Sequence, residues 1–143
     1  MAFEPGSINQ LSQVIEHVVA PAFLLGAVAG FISILMSRME RVIDRLRFLN
    51  DIPQEGHGKS ALRADIPRLK RRARLLQRSL FLAIASGAAG AVLIIVAFGA
   101  ALLERTHVWG TALLFVLSMG LLCAALIVLA AEVNIGFSEY DEQ

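Results

Sequence analysis

The chain contains three long stretches without a single charged side chain, at residues 18–37, 79–103 and 108–131. They are 20, 25 and 24 residues long, and a helix needs about 20 apolar residues to cross the hydrocarbon core of a bilayer. Hydrophobic residues make up 57% of the composition, whereas about 45–50% is usual for a soluble domain. The sequence therefore predicts an all-α integral membrane protein with three transmembrane helices.

Residues 1–17 are predicted to form an amphipathic segment on the outer side of the membrane. Ser7 and Gln10 have the spacing of a capping box, and apolar residues then follow at helical intervals. The segment contains no Lys or Arg, whereas a secretory signal peptide begins with a basic region. We therefore expect the first span to be retained.

The basic residues predict the orientation of the chain. Twelve of the thirteen Lys and Arg residues lie between the first and second spans, in residues 38–78. Cytoplasmic loops of membrane proteins carry such an excess. We therefore expect residues 38–78 to be cytoplasmic, the N-terminus and the turn at residues 104–107 to lie outside, and the acidic tail at residues 132–143 to lie in the cytoplasm.

The basic segment 38–78 continues the helical pattern of both neighbouring spans on either side of a Gly- and Pro-rich turn at residues 53–60. Apolar residues follow the first span at helical spacing as far as Leu49. A heptad run that includes Leu69 and Leu76 leads into the second span. Two such helices typically pack as an antiparallel hairpin, so we predict a cytoplasmic helical hairpin. The alternative is that both helices lie flat on the inner leaflet.

Small residues recur four apart within the spans, a spacing that lets membrane helices approach closely. Such faces can pack within one subunit or between copies of the chain. Because three helices offer limited scope for burying several of them, we expect a homo-oligomer. The predicted packing positions are Gly26, Gly30, Gly87 and Gly120.

The polar residues inside the spans are interpreted as structural. Ser33, Ser86 and Ser118 are predicted to donate hydrogen bonds to the backbone one turn earlier rather than to line a pore. Cys123 is the one cysteine, and we expect it to act as a small buried hydrophobic residue.

The spans carry no ionisable residue, which disfavours proton relays, ion-coupled transport and voltage sensing. His17, His57 and His107 are isolated in the sequence. No zinc-protease motif, cysteine pair or Ser-His-Asp constellation accompanies them. We therefore expect no enzyme activity, no metal site and no cofactor.

The densest chemistry lies in the basic segment. Its first half offers an interaction surface or a pore mouth in which Asp44 has the spacing to pair with neighbouring guanidiniums: Arg38, Arg41, Asp44, Arg45 and Arg47. Its second half brings six cations to the membrane boundary: Arg68, Lys70, Arg71, Arg72, Arg74 and Arg78.

We expect these six cations to bind anionic lipid head groups, to pair with the acidic tail that includes Glu132, or to do both. Nucleic-acid binding ranks well below these partners because no aromatic platform accompanies the cations.

Four motifs resemble those of a bacterial family of small membrane proteins that is known only as a domain of unknown function. They are Ala20-Pro21-Ala22-Phe23-Leu24-Leu25, Arg41-x-x-Asp44-Arg45-x-Arg47-x-Leu49, Arg71-Arg72-Ala73-Arg74-Leu75-Leu76 and Glu132-Val133. The resemblance covers residues 8–135 apart from the turn at 53–60. It implies a three-span protein of the bacterial inner membrane and no particular activity.

Three functions are compatible with these observations. We favour a non-enzymatic oligomeric membrane protein whose cytoplasmic helices form an interaction or scaffold surface. The main alternative is a homo-oligomeric channel in which rings of Arg38, Arg41 or Arg45 at the cytoplasmic mouth favour anions. An enzyme or transporter acting on a lipid or a small solute ranks last, because neither a catalytic group nor a charge inside the membrane supports it.

Overall fold

A computed structural model describes residues 5–51, 65–102 and 108–137. These residues form three α-helices: α1 (Pro5–Asn50), α2 (Ile66–Leu102) and α3 (Val108–Phe137). The all-α fold class is therefore confirmed. The predicted turns at residues 53–60 and 104–107 and the end of the acidic tail lie outside the described residues.

Each helix contains a segment that is long and apolar enough to cross a membrane: Val18–Asn50, Ile66–Ala100 and Trp109–Gly136. The large apolar side chains on their surfaces are widely exposed, with Phe23 at 79%, Ile95 at 70% and Ile127 at 69%. Exposed apolar surface on this scale is typical of a surface that contacts lipid or a protein partner. Together with the three apolar helices, it indicates a multi-pass membrane protein.

Helix α1 runs without interruption from Pro5 to Asn50 and includes Pro21. The N-terminal segment and the first predicted span are thus parts of one helix over the described residues. Proline lacks the N–H that an interior helical residue donates to the backbone. Pro21 nevertheless lies in the interior of α1, where it is buried.

Helix α2 packs against both α1 and α3 and is antiparallel to each of them. Leu25 lies against Gly90, and Val28 lies against Gly87. Later residues of α1 thus contact earlier residues of α2, as in an antiparallel pair. Ser79 bonds to the carbonyl of Ala125, whereas Ser86 further along α2 bonds to the earlier carbonyl of Ser118. The central position of α2 means that its packing determines where the other two helices lie.

The core repeats every seven residues along the contact between α1 and α2. This spacing is typical of helices that cross at a shallow angle of about 20°. The repeat continues beyond the uncharged stretches, because residues 42, 49, 69 and 76 all lie outside them. The buried cluster consists of Leu35, Val42, Leu49, Leu69, Leu76, Ala83 and Ala125.

The prediction for Cys123 is wrong, since this side chain is exposed on α3. Apolar character does not distinguish a lipid-facing position from a buried one, because both environments accept a thiol. The neighbouring heptad position, Ala125, is the residue that is fully buried against α2.

Candidate functional site

A buried carboxylate joins the three helices at one end of their apolar stretches. Glu132 on α3 is 0% exposed and accepts a hydrogen bond of 2.9 Å from Nε of Arg72 on α2. Nη2 of Arg38 on α1 lies 3.4 Å from the second oxygen, Oε2. We call Arg38, Arg72 and Glu132 the arginine–glutamate triad.

Two members of the triad directly follow an apolar stretch, and the third lies about two helical turns before one. Arg38 and Glu132 are the first charged residues after residues 18–37 and 108–131, respectively. Arg72 lies seven residues before Ser79, which is about two helical turns. Charges avoid the hydrocarbon core, and all three members of the triad accordingly lie outside the uncharged stretches.

Gly136 provides room for the Arg72 guanidinium beside the last turn of α3. A Cβ atom at this position would lie 3.3 Å from Nη2 of Arg72 and 3.5 Å from Cζ. The last carbonyl groups of a helix carry partial negative charge, which favours a nearby cation. Arg72 is thus positioned by both Glu132 and the C-terminal end of α3.

The two arginines do not bind Glu132 equally. Oε1 accepts the hydrogen bond from Arg72, whereas Oε2 is buried without a hydrogen-bond partner. Arg38 therefore acts on Oε2 through charge at 3.4 Å. The arginine side chains are 33% and 22% exposed for Arg38 and Arg72, whereas the Glu132 side chain is fully enclosed.

Three buried serines form a polar seam between α2 and α3. Ser79 donates to the Ala125 carbonyl at 2.8 Å. Ser86 and Ser118 donate to each other's carbonyl oxygens at 2.7 and 2.9 Å. These contacts lie at seven-residue steps from the Arg72–Glu132 pair, so one face of α2 carries the whole set.

The prediction that Ser86 and Ser118 bond to their own helix is wrong. Small side chains allow α2 and α3 to approach closely enough for each hydroxyl to reach the carbonyl of the other helix. Gly90 belongs to the same close contact, because a Cβ there would lie 3.4 Å from Oγ of Ser118 and 3.4 Å from Cδ2 of Leu25.

Replacing Ser86 with valine is expected to lower the free energy of unfolding by about 1–3 kcal/mol. The change removes the hydrogen bond to Ser118 and forces a larger side chain into a fully buried position. Thermal unfolding in detergent would measure the effect. Ala88→Val is the matched control, because Ala88 lies exposed on the same helix; equal losses for the two variants would show that the seam does not stabilise the fold.

The four glycines predicted to mediate helix packing divide into two groups. A Cβ at Gly87 would lie 3.2 Å from Cγ1 of Val28, so this residue packs within the chain. At Gly26, Gly30 and Gly120 an added Cβ would meet nothing within 4 Å among the described residues. These three glycines therefore lie on open surfaces of the chain.

Residues 18–141 match the family described as "Protein of unknown function (DUF2721)". The chain belongs to this family. No curated protein and no solved structure is detectably similar to it. The matched range includes all three members of the triad and the polar seam, so these contacts lie within the DUF2721 domain.

The remaining predicted site residues of α1 in this DUF2721 domain lie on its surface. Arg41, Asp44, Arg45 and Arg47 are exposed, and Nε of Arg41 donates to the Ser37 carbonyl at 3.3 Å. In the described part of the chain, the ion pairs join Arg38 and Arg72 to Glu132, and none joins Asp44 to a neighbouring arginine.

The predicted lipid-binding cations of α2 also separate into two environments. Arg72 is partly enclosed in the triad, whereas the other five are exposed: Arg68, Lys70, Arg71, Arg74 and Arg78. Sequence reasoning grouped Glu132 with the acidic tail and so missed its burial. The available signal was its position, because it is the single acid that directly follows the third apolar stretch.

The described residues contain no cluster of three or more His, Cys, Asp or Glu side chains that could hold a metal ion. His57 and His107 lie outside the described residues, as does the side chain of His17. Among the described residues, the triad and the polar seam are polar contacts that hold the helices together.

Proposed function

We propose that the chain is a non-enzymatic membrane scaffold in the bacterial inner membrane. In this proposal, copies associate through α1, and the ends of α1 and α2 beyond the membrane form a cytoplasmic interaction surface. The N-terminus lies outside and the C-terminus inside, as the concentration of basic residues in 38–78 favours. The observation that supports the proposal most directly is the open small-residue face of α1.

That face is formed by Ala22, Gly26 and Gly30, which are all exposed. An added Cβ at either glycine would meet no atom of the described residues within 4 Å, so no described part of the chain uses the close approach that these glycines permit. Lipid is as apolar as the side chains, so the hydrophobic effect does not drive helices together within a membrane. Helix association there is stabilised mainly by close packing and polar contacts. A second α1 helix is the neighbour that such a face fits.

The same side of α1 continues beyond the membrane as a charged surface. Glu40, Asp44 and Arg47 follow Gly30, Ser33 and Ser37 at alternating spacings of three and four residues, and all are exposed. Because this surface carries both signs of charge, two parallel copies can pair Arg47 of one with Asp44 of the other. The charges therefore support the same pairing as the small residues.

The alternative proposal is an anion channel assembled from several copies. The exposure of Arg41 and Arg45 supports it, because these cations are free to form rings at a pore mouth. Arg38 is less suited to this role, since it lies beside Glu132. Anion flux through reconstituted vesicles that changes on Arg41→Glu would favour the channel over the scaffold.

The double change Gly26→Leu and Gly30→Leu is expected to convert the oligomer into monomers, because leucine side chains would block the close approach of two α1 helices. Native mass spectrometry of the protein released from lipid nanodiscs would measure the subunit count. Gly120→Leu is the matched control, since Gly120 also lies on an open surface but on α3.

Two results would contradict this assignment. A wild-type protein that is monomeric in lipid would exclude self-association as the basis of the scaffold. Dissociation by Gly120→Leu but not by the α1 variant would place the contact on α3 instead.

A further inference from the structure

The two helices that extend beyond the apolar stretches differ sharply in charge. Residues 38–51, the end of α1 with the residue that follows it, contain four arginines and three carboxylates. Residues 65–78, the start of α2 with the residue that precedes it, contain six cations and one carboxylate. The cations of α1 are thus nearly balanced along their own helix. Those of α2 are not.

One of the α2 cations is neutralised by the triad. Arg72 is held by Glu132. Lys70, Arg71, Arg74 and Arg78 are exposed, and in the described ranges no carboxylate forms an ion pair with them. We call these four residues the cationic column.

The cationic column stands on one side of α2 and leads to the membrane. Arg71, Arg74 and Arg78 are separated by three and four residues, so they lie along one helix face. Arg78 directly precedes the second uncharged stretch. Phe81, less than one turn further into that stretch, is 71% exposed, which extends the column with an apolar side chain at the depth of the acyl chains.

We propose that the cationic column is a binding site for the phosphate-containing head group of an anionic phospholipid, with Phe81 against its acyl chain. Each head-group layer is about 5–8 Å thick. Arg74 lies about 6 Å from Arg78 along the helix axis, since each residue adds about 1.5 Å. Arg78 and Arg74 therefore meet the phosphate layer, and Arg71 lies within a Debye length of about 8–10 Å beyond it.

A lipid fits this surface better than a nucleic acid or a soluble anion. The column begins at the apolar boundary, where lipid phosphates are concentrated, and it ends on an exposed aromatic ring that a soluble anion would not contact. Guanidinium groups also bind phosphate oxygens through paired hydrogen bonds. The site does not depend on self-association through α1, because its residues all lie on α2.

The test compares two variants with the same loss of charge. The first is Arg71→Gln, Arg74→Gln and Arg78→Gln on α2. The second is the matched control on α1: Arg41→Gln, Arg45→Gln and Arg47→Gln. Native mass spectrometry would follow binding of phosphatidylglycerol and phosphatidylcholine to each full-length protein in detergent.

Wild-type protein is expected to bind phosphatidylglycerol in preference to phosphatidylcholine. A juxtamembrane cation contributes about a fivefold change in binding, so the α2 variant should bind phosphatidylglycerol on the order of 100-fold more weakly. The α1 control should stay within about fivefold of wild type, because each of its arginines has a carboxylate nearby.

Several outcomes would overturn the proposal. One is equal binding of the two lipids by the wild-type protein, which would favour an acidic protein as the partner of the cationic column. Another is an equal loss in both variants, which would indicate a nonspecific charge effect. Displacement of phosphatidylglycerol by millimolar inorganic phosphate would identify a free-phosphate site.

Thermal unfolding of each protein is the control for correct folding. The unfolding temperature should be unchanged, because all substituted side chains are exposed. If the triple variant does not fold, Arg74→Gln alone provides the test. It should weaken phosphatidylglycerol binding about fivefold, and unchanged binding would count against the site.

Discussion

Replacing Arg72 with methionine is expected to lower the free energy of unfolding by about 3–5 kcal/mol, because it removes one partner from a buried ion pair. Glu132 is 0% exposed, so its carboxylate cannot turn to water when Arg72 is lost. Arg38 would be left as a partner at 3.4 Å without a hydrogen bond. Chemical or thermal unfolding in lipid bicelles would measure the loss.

Two comparisons assign that loss to the triad. Arg68→Met changes another arginine of α2, which is exposed and lies outside the cationic column, and should change stability by less than about 0.5 kcal/mol. The double change Arg72→Met and Glu132→Gln should be more stable than Arg72→Met alone, because the uncompensated buried charge is then removed. If Arg68→Met and Arg72→Met unfold alike, the triad does not stabilise the fold.

Replacing Leu76 with alanine is expected to cost about 2–5 kcal/mol, as other substitutions of fully buried leucine do. Leu76 is 0% exposed and belongs to the same cluster as Val42, Leu49 and Leu69. This part of the cluster lies beyond the uncharged stretches, where apolar burial is driven by exclusion of water. Thermal unfolding of the full-length protein would measure the change.

The matched control is Gln77→Ala, which alters the next residue on the exposed side of α2. It should unfold within about 0.5 kcal/mol of wild type. Hydrogen exchange adds a local measurement, since the α2 segment around Leu69 should exchange faster in Leu76→Ala than in the control. Equal exchange and equal stability for the two variants would show that the ends of α1 and α2 gain nothing by packing together.

The three apolar helices were predictable because hydropathy and length are properties of local sequence. In a chain of this size, an apolar stretch of 20 or more residues without a charge has few alternatives to a membrane-spanning helix. The buried leucines outside the spans were also indicated by their spacing, since Leu69 and Leu76 belong to a heptad run. The hairpin prediction also named a partner helix, but the residues that lie opposite each leucine were not predictable, because spacing identifies a face and not the register of its contact.

For the glycines too, the sequence indicated a packing face but not its partner. Gly87 packs against Val28, whereas Gly26 and Gly30 lie on an open surface, although all three occupy similar small-residue patterns. Spacing cannot distinguish a face used within the chain from one available to another copy. The choice depends on how α2 is rotated between its two neighbours.

Local sequence determined the number of apolar helices, the family, and the concentration of positive charge beside the first two spans. Tertiary structure decided that Glu132 is buried between Arg38 and Arg72, and that Ser86 and Ser118 bond across helices. The physical reason is that insertion into a membrane depends on each segment's own composition. A pairing between helices depends on their relative rotation and on residues as far apart as 94 positions in the chain.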